Sequence, residues 1–251
     1  MRKTANILGI PVDCVTMHEA VKRIGKFIKE GGVHAVYTPN SEIMMAALKD
    51  PVLKDILLNA DMLTADGAGV VLASGILGCR VPEKVSGVDL VINIFKAYAK
   101  KGIRVFLFGS KPGVAEEAAE NIARDYPGIV IAGCRNGYFT ADQEEEIISE
   151  INAANADILL VALGAPKQEY WISGHKDKLN SRVCIGVGGT LDVLSGRTRL
   201  APDFFRRNGL EWFYRLCMEP KRAVRMLNLP RFMLRVLFAA IKTFIYPSTR
   251  S

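Results

Sequence analysis

Short apolar runs alternate with longer amphipathic stretches through most of the chain. The clearest run is Ile158 to Leu163, unbroken and β-branched at Ile158 and Val161, which reads as a strand buried on both faces. Gly164-Ala165-Pro166 stops it, and Pro166 presets the backbone for a helix whose first turn is Lys167-Gln168-Glu169. Further strands are predicted at 33–38, 61–65, 104–108, 129–132 and 183–187. Between them lie helix signals. Thr16 with Glu19, and Thr140 with Gln143, have the form of capping boxes. Ser86-Gly-Val-Asp89 opens a helix that ends near Lys101-Gly102, and Asp50-Pro51 caps another. Helices are also predicted at 41–48, at 68–77 and from Gly113 to Tyr126-Pro127. Strands alternating with helices of this length mean βαβ units, an α/β fold with a mostly parallel sheet.

The pattern changes after residue 195. Pro202 opens a short helix at 203–207, and 211–218 forms another around Trp212, Phe213 and Tyr214. Pro220 breaks the pattern, 221–227 continues it, and Pro230 opens a last helix to about Tyr246. In that helix Arg231, Arg235 and Lys242 fall within about 40° of one another at roughly 100° per residue. The rest of its surface is apolar: a wide face with one narrow basic stripe. It is too interrupted to span a bilayer, which needs about 20 mostly apolar residues. Three readings remain: a helix lying in the interface of an anionic membrane, a helix packed on the body or on a second subunit of a homo-oligomer, or a basic nucleic-acid arm. The last fits least, since such arms are rarely this apolar.

Charge supports a division there. The net charge is +7, but residues 196–251 carry 12 Lys/Arg against three acids and residues 1–195 carry 21 against 23. The expected organisation is a catalytic domain at 1–195 and a basic helical appendage at 196–251. The five cysteines are scattered without a CxxC pair, and the three histidines lack metal-ligand spacing. This suits reduced thiols in a cytoplasmic compartment and neither a disulfide scaffold nor a zinc site. The N-terminus lacks the apolar stretch of a signal peptide.

The polar residues with chemical potential follow strands: Thr38 and Asn40, Asp66, Ser110 and Lys111, Tyr138, Lys167 and Gln168, and Gly188, Gly189 and Asp192. Parallel strands end at one sheet edge, so these residues can line one crevice. Gly109 and Gly188-Gly189 permit close backbone approach, and helix N-termini offer N–H groups to a phosphate, so a phosphorylated or nucleotide ligand is expected. Two nucleotide fingerprints fail: GxGxxG, because position 191 is Leu191, and GxxxxGK[ST], which is absent. There is also no Asp-x-Asp after a strand to hold a divalent ion on a diphosphate, so amides, Lys or Arg must neutralise it and no metal is expected. Asp66 can be a general base, but a capping role for the next helix explains it at least as well from its position alone. Arg215, Arg222 and Arg225 lie between the body and the last helix, and their fork geometry suits a diphosphate presented at a membrane.

Taken together, Thr38-Pro-Asn40, Thr64-Ala-Asp-Gly67, Ser86-Gly-Val-Asp89, Phe108-Gly-Ser110 with Lys111-Pro-Gly113, Gly137-Tyr-Phe139, Gly164-Ala-Pro-Lys-Gln-Glu169, Val187-Gly-Gly-Thr190, Arg199-Leu-Ala-Pro202 and Gly209-Leu-Glu-Trp212 resemble the WecG/TagA/CpsF glycosyltransferases. The resemblance covers essentially the whole chain, in order. It implies a Rossmann-like fold, a UDP-sugar donor, no metal, and transfer to an undecaprenyl-diphosphate-linked acceptor at the cytoplasmic membrane face. In the teichoic-acid branch the donor is UDP-N-acetylmannosamine and the acceptor carries N-acetylglucosamine; elsewhere in the family the donor would be UDP-N-acetylmannosaminuronic acid, UDP-glucose or UDP-galactose. It further implies that Asp66 is the base, that Thr38 and Gln168 belong to the active site, that Gly137 lies in a matched motif beside Tyr138, and that Arg215, Arg222 and Arg225 complete the site when the tail docks. The resemblance thus moves Asp66 from cap to base.

Overall fold

A computed structural model of the chain describes residues 2–218 and 227–245. Its centre is a six-stranded sheet of β3 (His34–Tyr37), β4 (Met62–Leu63), β5 (Arg104–Gly109), β6 (Val130–Arg135), β7 (Ile158–Ala162) and β8 (Val183–Gly186). Every pairing is parallel, in the order β4-β3-β8-β7-β5-β6. This is the α/β, Rossmann-like architecture expected.

Alternation along each strand builds two cores. Val105, Leu107, Ile158, Leu160, Val183 and Ile185 face α1 (Met17–Phe27), α5 (Gly87–Tyr98), α6 (Val114–Asp125) and α9 (Thr190–Leu194). Phe106, Phe108, Leu159, Val161 and Cys184 face the other layer. That layer holds α2 (Ser41–Ala47), α3 (Pro51–Leu58), α4 (Ala68–Ile76), α7 (Glu144–Ala153) and α8 (Lys167–His175). A period of two therefore serves both faces, which is why the strands read as continuous apolar runs.

The helix starts follow their signals. Thr16 and Glu19 close a capping box on α1 (Glu19 N to Thr16 Oγ1 3.2 Å, Thr16 N to Glu19 Oε2 2.8 Å). Asn40, Asp50 and Ser86 cap α2, α3 and α5 with their side chains. The stretch expected as a strand at 61–65 pairs only through Met62–Leu63. Single backbone bonds flank it, Asp61 N to Ala35 O (2.9 Å) and Thr64 N to Tyr37 O (3.0 Å), and the Asp61 carboxylate accepts from Ala35 N (2.8 Å) and Lys176 Nζ (2.8 Å).

An antiparallel hairpin, β1 (Thr4–Ile7) and β2 (Ile10–Asp13), was not foreseen. Its two-residue turn puts Leu8 at φ 53° and Gly9 at φ 87°, and Asn6 Oδ1 accepts from Gly9 N at 2.8 Å. Hairpin turns of this kind usually announce themselves as Asn-Gly or Asp-Gly, and Leu-Gly does not. The hairpin ends in Asp13, fully buried, which accepts from Arg2 Nε (2.7 Å), Arg23 (2.5 Å) and Leu63 N (2.8 Å). One carboxylate thus ties the hairpin, α1 and β4 together.

The C-terminal part contains α10 (Asp203–Arg207), α11 (Glu211–Met218) and α12 (Asn228–Ile245). α12 starts two residues before Pro230, which a first helical turn tolerates. It packs on α2 and α4, and Phe232 and Val236 enter the main core at 0 % exposure. Leu234, Leu237, Phe238 and Ile241 remain exposed beside Arg231, Arg235 and Lys242. The continuation expected across 221–227 falls, save Leu227, outside the described residues. No helix among the described residues is long and apolar enough to cross a membrane.

The two faces of α12 should respond differently to truncation. Phe232→Ala should destabilise the protein by about 3–5 kcal/mol, and Phe238→Ala should stay within about 0.5 kcal/mol. Urea unfolding of both variants reads the difference.

Candidate functional site

The residues singled out after the strands gather at the C-terminal edge of the sheet, in two groups joined by α9. The first surrounds the ends of β3, β4 and β8. Thr38 follows β3 and is nearly buried. A methyl added at Gly87 would lie 3.1 Å from Thr38 Oγ1, 3.7 Å from Val187 O and 3.8 Å from Thr190 Oγ1, so the first turns of α5 and α9 close over Thr38. Asp66 N donates to Pro39 O (3.2 Å) and Val85 N to Ala65 O (2.9 Å), which binds the loops after β3 and β4 into one wall. Asp66 is half-buried in that wall. The N-cap of α4 is Gly67, at φ 104°, so the capping position expected of Asp66 falls one residue later.

Gln168 completes this group from α8. It is 3 % exposed, its Oε1 accepts from Gly188 N at 2.9 Å, and its Nε2 donates to Glu169 Oε1 at 3.0 Å. Gly186 makes room for it, because a Cβ there would lie 2.9 Å from Gln168 Nε2 and 3.3 Å from Tyr37 Cδ1. The Gly188 N–H, expected as a phosphate donor, is therefore already engaged from inside the protein. Burial raises the Glu169 carboxyl above the usual carboxylate range, with the Gln168 hydrogen bond pulling the other way. The Tyr37 phenol is also pushed up, by burial first and by Glu169 second.

The second group surrounds the ends of β5, β6 and β7. Ser110, at φ 57°, donates through N to Ala162 O (2.9 Å) and through Oγ to Asp192 Oδ2 (3.0 Å). Gly137 N donates to Ser110 O (2.9 Å). Tyr138 is 66 % exposed, and Lys167 Nζ stands 4.5 Å over the Phe139 ring. With Leu163 they line an open cleft. Lys111, next in sequence to Ser110, is exposed. Asn40 is placed differently from the rest: its Oδ1 accepts from Glu42 N (2.9 Å) and Ile43 N (3.1 Å) and is occupied in capping α2. Another cavity, lined by Gly32, Asp157, Asn180 and Arg182, lies at the opposite sheet edge and holds none of the residues named from the sequence.

A model of the glycosyl transferase family WecG/TagA/CpsF matches residues 5–244. The chain belongs to that family. Among relatives, a Bacillus spizizenii protein is 38 % identical over 80 % of this chain and 78 % of its own. One from Bacillus subtilis strain 168 is 36 % identical over 90 % and 84 %, and one from Staphylococcus aureus strain MW2 is 33 % identical over 94 % and 93 %. All three are named N-acetylglucosaminyldiphosphoundecaprenol N-acetyl-beta-D-mannosaminyltransferase.

In this member of the family the C-terminal part touches the wall that carries Asp66. A methyl on Gly69, in the first turn of α4, would lie 2.7 Å from Leu229 Cδ1 at the start of α12. Lys84 pairs with Glu211, and Arg206 with Asp89 in the first turn of α5. Arg215 falls on α11, while Arg222 and Arg225 lie outside the described residues. The residue that sequence reasoning missed is Glu169. A glutamate in the first turn of a helix ordinarily signals solvent, and only the third dimension reveals that this one is buried.

Gly109 offers a direct check of the second group. It sits at φ 128°, and a Cβ would lie 2.4 Å from the Ala162 carbonyl carbon. Gly109→Ala should cost roughly 3 kcal/mol or more in urea unfolding; a loss below about 1 kcal/mol would contradict the close approach of β5 and β7.

Proposed function

We propose that this chain is an inverting glycosyltransferase that moves N-acetylmannosamine from UDP-N-acetylmannosamine to N-acetylglucosaminyl-diphospho-undecaprenol. The observation that carries this is the 36 % identity to the Bacillus subtilis relative of that name across 90 % of the chain. The placement of Asp66 at one sheet edge with Thr38 and Gln168 is consistent with it. The proposed organisation is a catalytic body at 1–195 and a membrane-associating appendage at 196–251, working on the inner face of the plasma membrane.

The chemistry follows from a β-linked product and an α-linked nucleotide sugar, which require inversion. The acceptor hydroxyl oxygen attacks the anomeric carbon as the bond from that carbon to the UDP oxygen breaks. Asp66 takes the hydroxyl proton, and UDP departs with the bonding pair. Thr38, and Gln168 through its bond to the Gly188 turn, shape the place where the reacting sugar sits. The turn at 109–111, with Lys111 and Lys167, faces the diphosphate, and Gly137, Tyr138, Gly189 and Asp192 line the nucleotide beside it. Arg215, Arg222 and Arg225 supply positive charge where negative charge develops, a role suited to preorganised donors. Bound metal has no assigned part in these steps.

Four exposed apolar side chains of α12, Leu234, Leu237, Phe238 and Ile241, with Arg231, Arg235 and Lys242, support seating on an anionic lipid surface. The lipid-linked acceptor would meet the site there.

In vesicles with the lipid-linked acceptor and EDTA, UDP release from UDP-N-acetylmannosamine should depend on the acceptor. Asp66→Asn should lower kcat by about 10²–10⁴-fold, the usual worth of a general base. Asp66→Asn within threefold of wild type would remove the base assignment, and silence across a panel of UDP-sugars would favour a nucleotide-sugar-binding module without catalysis. Separately, the full-length triple variant Arg231→Glu, Arg235→Glu and Lys242→Glu should bind phosphatidylglycerol vesicles at least about tenfold more weakly, since each basic residue near the surface is worth about 1 kcal/mol. Unchanged sedimentation with vesicles would refute the role of α12.

A further inference from the structure

Glu169 is the third residue of α8, where a glutamate usually reaches back to the N-cap backbone N–H. The N-cap here is Pro166, which has no N–H to offer. The side chain instead runs into the protein and is 0 % exposed. Its Oε1 accepts from Gln168, and its Oε2 is buried without a hydrogen-bond partner. A half-satisfied buried carboxyl is costly, and such groups call for an explanation.

The explanation lies in the two unlike ends of the Gln168 carboxamide. The Gly188 N–H needs an acceptor, and only Oε1 can supply it. Nε2 must then point the other way, where Glu169 Oε1 receives it. A flipped amide would set two N–H groups against each other at Gly188 and two acceptors against each other at Glu169. Gly188 has φ 53° and leads into Gly189 and α9, whose Thr190 Oγ1 donates to Val187 O at 2.6 Å. We propose that Glu169 is a positioning residue: it fixes the orientation of the Gln168 carboxamide and, through the bond to Gly188, the shape of the 187–190 turn beside Thr38. The consequence for turnover rests on the catalytic reading above; the consequence for the turn does not.

The test is amide hydrogen exchange by NMR on the full chain, with Glu169→Met to remove the acceptor at similar volume. Gly188 N–H should exchange about tenfold faster or more, the worth of one lost hydrogen bond, while the β8 amides keep their protection. Gln168→Ala should do the same, and adding Glu169→Met to it should change Gly188 no further. Glu169→Gln, which retains an acceptor oxygen, should stay within about threefold of wild type. If Glu169→Met does not fold, Glu169→Asp withdraws the oxygen by one methylene and should also speed Gly188. Unchanged Gly188 exchange, or equal loosening of all of β8, overturns the proposal. In the turnover arm, kcat should fall about tenfold in Glu169→Met and recover in Glu169→Gln; a loosened Gly188 with intact turnover overturns the positioning role. A wild type that turns over no UDP-sugar would end the catalytic reading, while the exchange result would still decide whether Glu169 holds the turn.

Discussion

Burial of the parallel sheet on both faces is the constraint from which the rest follows. Residues 158–162 of β7 and 183–186 of β8 are all buried, so neither strand has a face on which to carry chemistry. Polar function is displaced to the turns where the strands end, and parallel pairing puts all those ends on one side. Close packing then dictates what the turns contain. Gly109 lets β5 approach β7, and Gly186 leaves space in which Gln168 can cross the end of β8. These two glycines are requirements of packing.

Much of this was legible because local chemistry carried it. Thr16 with Glu19, Asn40, Asp50 and Ser86 satisfy helix starts within a few residues of themselves, so the signal and the structure are the same interaction. The β7 run at 158–162 is likewise uniform because burial on two faces leaves no polar position. Long-range dependencies were not legible. The Leu8-Gly9 turn draws support from Asn6, and Asp13 is meaningful only beside Arg2, Arg23 and Leu63. Glu169 looks like a solvated helix start until β3, β7 and β8 are placed around α8. The motif spanning Gly164 to Glu169 marked the neighbourhood, but which of its side chains faces the crevice and which supports it from below depends on the rotation of α8.

The C-terminal part shows how one helix can serve two surroundings. Phe232 and Val236 complete the core over α2 and α4, while Phe238 and Ile241 on the same helix face outward. Leu229 reaches the first turn of α4, next to the wall that holds Asp66. The inward face therefore links the C-terminal part to the neighbourhood of Asp66, and the outward face presents exposed apolar side chains beside Arg231, Arg235 and Lys242.

Under the proposed function the nucleotide sugar binds at the C-terminal sheet edge. A titration of the ¹⁵N-labelled chain with UDP tests it most directly, with amide shifts as the readout. The account predicts perturbations at 38–40, 109–111, 137–138 and 187–192. Shifts concentrated instead at Gly32, Asp157, Asn180 and Arg182, around the cavity at the opposite edge, would contradict it.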